Sequence, residues 1–306
     1  MFSVCGMRFG AVILPELPWA QSAGTWRRAE QLGFDHAWTY DHLTWRSFRD
    51  RPWYGAIPTL VAAASATERI RLGTLVASPN FRHPLALVKD FITLDDISGG
   101  RAIAGIGAGG QGWDATMLGH PPWPARERGE RFVEFVTLTD LLLRRPEATW
   151  AGRYYAVDEA RTYPGCRQKP RLPLAIAAGG PSGMELAARY GDFWVSIGGP
   201  ATAGQDLPSA LAAPEGARVV ATQVARLADA CSRVGRDPSS LRKLVLTGLH
   251  LAPGLSSPDD FDETVGLYGE AGVTDLVVHW PRLTDPFAAD PAMFERIFSR
   301  MTKGPS

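Results

Sequence analysis

The chain is poor in the residues that announce the simplest functions. Its 306 residues hold three cysteines and six histidines. Cys5, Cys166 and Cys231 are odd in number and far apart, which argues against a disulfide framework and for a reducing cytoplasm. Neither residue type falls at ligand spacing, so no metal site is expected. There is no GxSxG elbow of the kind that positions a nucleophilic serine. No apolar run approaches the ~20 residues of a membrane span, and the first residues lack the basic start and apolar stretch of a signal peptide. An excess of charge is missing as well. Thirty-two Lys and Arg balance thirty-two Asp and Glu, and the longest charged stretch, 126–131, alternates in sign like a solvated helix start. A protein that tracks nucleic-acid phosphates needs a basic surface, so nucleic acid is not an expected partner.

What is present is an ordinary globular composition, 45% hydrophobic and 21% charged. A chain of this size buries about three quarters of its unfolded surface and needs no staple. Short apolar runs alternate with longer segments of helical period, the mark of βαβ units on a parallel sheet. Strands are expected at 8–14, 37–40, 70–76, 102–106, 174–177, 193–197, 241–249 and 275–279. Helices are expected at 25–32, 54–67, 84–97, 125–144, 183–190, 218–234, 259–271 and 291–301. Eight alternations make a single (β/α)8 TIM barrel over 1–306 the best assignment, with a short flexible tail at 303–306 and a doubly wound open sheet as the alternative. Three connections, 43–56, 145–172 and 198–216, exceed plain turns and read as binding walls or lids, or else as disordered loops, the third fitting either reading.

The chemistry-bearing candidates gather at one end of those strands. The second strand ends in Asp41-His42, a titratable pair where a barrel opens to its ligand. Alone, such a dipeptide is more often structural. Glycine clusters follow three strands: Gly105-Ile106-Gly107-Ala108-Gly109-Gly110, Gly179-Gly180-Pro181-Ser182-Gly183 and Gly198-Gly199-Pro200. One cluster would be only a turn. Three at the same end favour a phosphorylated cofactor, because glycine lets backbone amides approach an anion. The first contains no clean GxGxxG running into a helix, so a nicotinamide fold of the Rossmann type is weakly supported. Residues 75–84 end the third strand in polar and ring side chains, or simply lead through Pro84 into a helix. Trp113 and Asp114 offer an aromatic wall and a second acid, with plain surface or core placement an equal reading for each. His279 and Arg282 lie where a substrate anion could be met, with a surface pair as the bland reading. Trp45, Trp53, Trp113 and Trp123 suggest an aromatic pocket or, equally, core.

Trp38-Thr39-Tyr40-Asp41-His42, Gly99-Gly100-Arg101 with the strand-four glycines, and Ala177-Ala178-Gly179-Gly180-Pro181 with Tyr190-Gly191-Asp192 together resemble the bacterial luciferase-like flavin oxidoreductases. The Trp-x-x-Asp-His form resembles the branch that uses the deazaflavin coenzyme F420. The resemblance spans nearly the whole chain. It implies a barrel holding the ring in its mouth, with a bulge and a non-proline cis peptide behind it at Leu75-Val76. It also implies phosphate on the amides of Gly179, Gly180, Pro181 and Ser182. The expected cofactor-binding set is Leu75, Val76 and Ala77, then Gly107, Ala108 and Gly109, then Ala178 to Ser182, and Gly198. His42 would stabilise or protonate the transition state and Asp41 would position ring or substrate.

One departure matters. Deazaflavin sugar-phosphate dehydrogenases resembling this chain place a glutamate where Gly110 stands and a lysine where 197–200 reads Ile-Gly-Gly-Pro. Glucose 6-phosphate is therefore a poor substrate expectation, and Asp114 is the candidate replacement acid. The leading expectation is F420-dependent hydride transfer to or from a small, largely apolar substrate. The alternatives are an FMNH2-dependent two-component monooxygenase, with FMN as cofactor, and a flavin-binding protein without turnover. A separate flavin or F420 reductase and a homodimer are the partners that the resemblance adds.

Overall fold

A computed structural model of the chain describes residues 6–200 and 209–300. In chain order the strands are β1 (Arg8–Val12), β2 (His36–Thr39), β3 (Arg71–Thr74), β4 (Ala102–Gly107), β5 (Glu147–Ala151), β6 (Ala156–Arg161), β7 (Leu174–Ala177), β8 (Phe193–Ser196), β9 (Arg242–Leu246) and β10 (Asp275–His279). The helices are α1 (Trp19–Gln31), α2 (Ala56–Ala66), α3 (Pro84–Ile97), α4 (Ala125–Arg144), α5 (Pro181–Tyr190), α6 (Ala213–Arg233), α7 (Pro258–Glu270) and α8 (Pro291–Phe298). Eight parallel strands close into a barrel in the order β1-β10-β9-β8-β7-β4-β3-β2, with the helices outside. The expected (β/α)8 barrel is the observed fold.

The strands carry unbroken apolar runs because both faces are covered: every residue of β2, β4, β8 and β10 is buried. A cluster of Val12, Trp38, Ile103, Phe193, Leu244 and Val277 fills the barrel interior, and a larger one packs sheet against helices. Proline opens α3, α5, α7 and α8 within the first turn, where its missing N–H costs nothing. His83 caps α3 by accepting from the Leu85 amide at 3.2 Å.

The N-terminal end of the barrel is closed by charge. His36, the first residue of β2, accepts the Trp38 indole N–H on Nδ1 at 2.7 Å, so its proton sits on Nε2 and is donated to Asp275 at 3.0 Å. Arg242 pairs with the same carboxylate through Nε at 3.0 Å and through a short Nη2 contact. Asp275 is fully buried, and the hydrogen bonds from His36 and Arg242 together with the Arg242 charge outweigh burial and hold its carboxyl at about 2.

Several elements differ from expectation. The connection 145–172 contains the antiparallel hairpin β5–β6, which lies outside the barrel. Glu134 of α4 anchors its turn by accepting the amides of Arg153, Tyr154 and Tyr155 at 2.9–3.2 Å. Helix α1 begins six residues earlier than its periodicity suggests, and α6 five residues earlier. Strands β1, β3 and β9 are shorter than their apolar runs, because the residues beyond them leave the sheet to build the barrel mouth. Cys5, the tail at 303–306 and part of the connection 198–216 lie outside the described residues.

Candidate functional site

The ends of six barrel strands converge on a cavity of about 1030 Å³ at the C-terminal face. Its base is Leu75 and Val76, joined by a cis peptide bond as expected. Gly107 faces them across the β3–β4 junction. A Cβ there would come within 2.6 Å of Val76 Cγ2, so this close approach admits only glycine. Ala108, Gly109, Ala178, Gly179, Gly180 and Gly198 complete the expected lining.

The rest of the expected set lies nearby but outside the lining. Ala77 is buried behind it, its amide bonded to Gly105 and its carbonyl to Gly107. Pro181 and Ser182 open α5, whose preceding residue Gly180 supplies no side-chain cap. Pro181 has no N–H to offer, so any donors of that turn come from the amides after it.

The Asp41-His42 pair separates into two roles. Asp41 is buried and does not reach the cavity, contrary to expectation. It takes a bidentate pair from Arg82, Nε to Oδ2 at 3.0 Å and Nη2 to Oδ1 at 2.7 Å. A carboxylate sunk in the barrel wall requires such a partner, and Arg82 comes from the 75–84 segment beside it. Arg82 stays charged because the carboxylate outweighs the burial that would lower it. Anchoring Asp41 turns the next residue, His42, into the cavity.

His42 meets Asp114. The imidazole Nδ1 forms a short hydrogen bond to Asp114 Oδ2, while Oδ1 accepts the Leu43 amide at 2.7 Å. An ionised carboxylate only accepts, so Nδ1 carries the proton and Nε2 is the nitrogen left to the cavity. The Trp53 indole fixes the His42 carbonyl at 3.0 Å, and the Tyr40 ring stands edge-on to the imidazole with centroids 6.0 Å apart. Burial raises the Tyr40 phenol well above its usual range, and its hydroxyl donates to His279 Nε2 at 2.7 Å. Burial likewise lowers His279 to about 3, so that ring is a neutral acceptor.

His279 and Arg282 therefore do not wait for a substrate anion. His279 stacks on Phe287, and Arg282 is held by Glu16 at 2.6 and 2.9 Å and by the carbonyls of Thr284 and Pro286. Among the aromatic candidates, Trp45 and Trp113 line the cavity and Trp53 stacks behind Trp45. Trp123 instead covers Arg131 on α4.

One lining residue had no signal in the sequence. Arg128, in the first turn of α4, borders the cavity, and its Nη1 is buried without a hydrogen-bond partner. Within the run 126–131 it read as one more solvated charge. A buried guanidinium nitrogen with no acceptor fits a site completed by an anion.

Residues 3–259 match the family described as luciferase-like monooxygenase. An F420-dependent glucose-6-phosphate dehydrogenase of Beutenbergia cavernae is 32% identical over 87% of this chain and 87% of its own length. A 4-hydroxyprotoasukamycin monooxygenase of Streptomyces nodosus subsp. asukaensis is 30% identical, covering 65% of this chain and 55% of its own. Among solved structures, an F420-dependent secondary alcohol dehydrogenase in complex with an F420-acetone adduct superposes with a TM-score of 0.79, covering 96% of this chain and 98% of the other at 18% identity.

Proposed function

The chain belongs to the luciferase-like monooxygenase family, and from that premise we propose that it is an oxidoreductase that uses coenzyme F420 to pass hydride to or from a small organic substrate. The observation that carries this reading is His42, held in one tautomer by Asp114 with Nε2 open to a cavity of cofactor size. The residues present fit a phosphorylated ring cofactor. The Leu75–Val76 base and Gly107 would lie along the ring. Gly179, Gly180 and the orphaned Arg128 nitrogen would meet its anionic part. A bound deazaflavin supplies a carbon that takes or gives hydride.

This chain supplies orientation and a proton path. The walls from Trp45 to Leu246 and Leu249 exclude water and offer an apolar face to the substrate. His42 Nε2 accepts the proton of a substrate hydroxyl when the carbon bearing that hydroxyl is oxidised, or returns it in the reverse direction. Asp114 keeps Nδ1–H engaged and stabilises the imidazolium that forms, as the carboxylate of a Ser-His-Asp triad does. Asp114 thus serves beside the histidine rather than as the free acid the missing glutamate at Gly110 would have been. The cofactor named for the Beutenbergia cavernae dehydrogenase and the secondary alcohol dehydrogenase enters this reading, and the sugar phosphate of the first does not: among the described residues no lysine lines the cavity, and Arg282 is neutralised by Glu16. Cytoplasmic residence belongs to the reading as well, supported by the unpaired Cys166 and Cys231. So do a homodimer and a separate reductase that recycles the cofactor.

Titrating the purified protein with F420 and with FMN tests the assignment, followed by a turnover screen of secondary alcohols, ketones and glucose 6-phosphate. Binding of FMN without F420 sinks it in favour of the monooxygenase reading. His42→Ala should retain cofactor affinity and lose turnover by about 10²–10⁴-fold. A chain that binds cofactor but turns over nothing with His42 intact would be a binding protein.

A further inference from the structure

Asp114 reaches His42 from a segment with little regular structure to hold it. Between β4 and α4, the residues 108–124 form one short 3-10 turn, Trp113–Ala115. Asn80 secures the near end by donating to the Gly110 carbonyl at 3.0 Å. Past the turn, Met117 and Leu118 are 54% and 56% exposed, and the next side-chain anchor is Trp123 against Arg131 of α4.

Two side-chain contacts tie the 3-10 turn across the cavity mouth to the segment after β2. Asp114 makes the first, to the His42 ring and the Leu43 amide. Trp113 makes the second: its indole lies against the guanidinium of Arg49, with Cζ 4.0 Å from the ring centroid. Arg49 follows a second 3-10 turn, Arg46–Phe48, which is fixed from below by Phe48 against Trp45 and Trp53. The clasp therefore joins one firmly seated turn to one lightly seated turn. Trp113 and Asp114 are adjacent, so the lighter turn cannot lift its indole without drawing the carboxylate away from Nδ1.

We propose that Trp113, clasped by Arg49, is a positioning residue, and that docking of its turn and assembly of the His42–Asp114 pair are one event. With the turn seated, His42 has a fixed tautomer and a counter-charge. With it lifted, the ring is free to rotate and Nδ1 has no acceptor. Arg49 sets the balance between the two states, and a substrate that touches Trp113 inside the cavity favours the assembled one. The inference rests on His42 being the proton-transfer group of the proposed reaction.

The test uses the full chain with 15N-labelled histidine and no cofactor. The ring N–H of His42, assigned by its loss in His42→Gln, should resonate far downfield and exchange slowly with water. Arg49→Ala should speed that exchange about two- to fivefold, the loss expected for one exposed cation–π contact, and Arg49→Lys should restore part of it. Trp113→Leu should speed it further. Unchanged exchange in both Arg49→Ala and Trp113→Leu overturns the proposal, as does a wild-type chain without the signal. If Trp113→Leu does not fold, the exposed Arg49 carries the test alone. Failure of the functional reading would show in the cofactor titration and leave this measurement untouched.

Discussion

At the scale of single residues, the site depends on which nitrogen of one ring carries a proton. Asp114→Asn puts an amide against His42 Nδ1, and its NH2 group can present a donor where only an acceptor fixes the working tautomer. Turnover should fall about 10²–10⁴-fold while F420 affinity stays within a few-fold, read as a kcat loss at nearly constant cofactor Kd. Arg128 predicts the opposite split. Arg128→Gln should weaken F420 about 10- to 100-fold, the worth of one or two hydrogen bonds to a charged group, and Arg128→Lys should recover part of it. Equilibrium dialysis of each variant separates the two behaviours. His42 was legible in the sequence because it closes a buried strand at the barrel's open end. The roles of Asp114 and Arg128 were not. The path of the 108–124 segment brings Asp114 to His42 and sets Arg128 against the cavity, and no local spacing encodes a contact between residues 42 and 114.

At the scale of elements, legibility followed burial. Helices α3 and α4 and strands β7 and β10 fall where periodicity places them, because each has an apolar face or run and a proline or glycine at a boundary. The hairpin β5–β6 did not show. β5 alternates between exposed and half-buried residues and β6 buries only Val157 and Ala160 among exposed neighbours, so the hairpin lacks the continuous run of a barrel strand. The early start of α6 was hidden by Gly216, which reads as a loop glycine. It sits inside the helix because a Cβ there would lie 2.5 Å from the Tyr268 hydroxyl. Arg101 shows how elements are joined. Its guanidinium donates to the carbonyls of Ala64, Thr67, Ile70 and Ser98 at 2.7–2.9 Å, closing the end of α2 over the starts of β3 and β4. Arg101→Met keeps the stem and leaves those carbonyls short of donors. It should cost about 2–3 kcal/mol in urea unfolding without altering cofactor affinity.

At the scale of the whole molecule, acid tolerance is governed at the barrel's closed end. Asp275 titrates at about 2 in the folded chain against 3.8 for the free side chain. A carboxylate with a depressed folded value adds stability above its unfolded value and loses it as pH falls towards the folded one. The wild-type chain should therefore lose about 2 kcal/mol from this group between about pH 4 and pH 2. Asp275→Asn should be less stable at neutral pH, since His36 and Arg242 are left facing an amide, and its unfolding free energy should be flatter across that window. Urea titrations at stepped pH distinguish the two slopes.

Strand β2 begins with His36 and leads directly into His42. The first is locked into the charged floor and the second faces the open mouth, with packed Trp38 and the rest of the barrel interior between them. That separation divides inheritance along a single strand. Lineages descending from such a chain can exchange the loops around His42 and acquire new substrates while the floor keeps the molecule folded. A change at the floor instead weakens every descendant alike, whatever its mouth has come to bind.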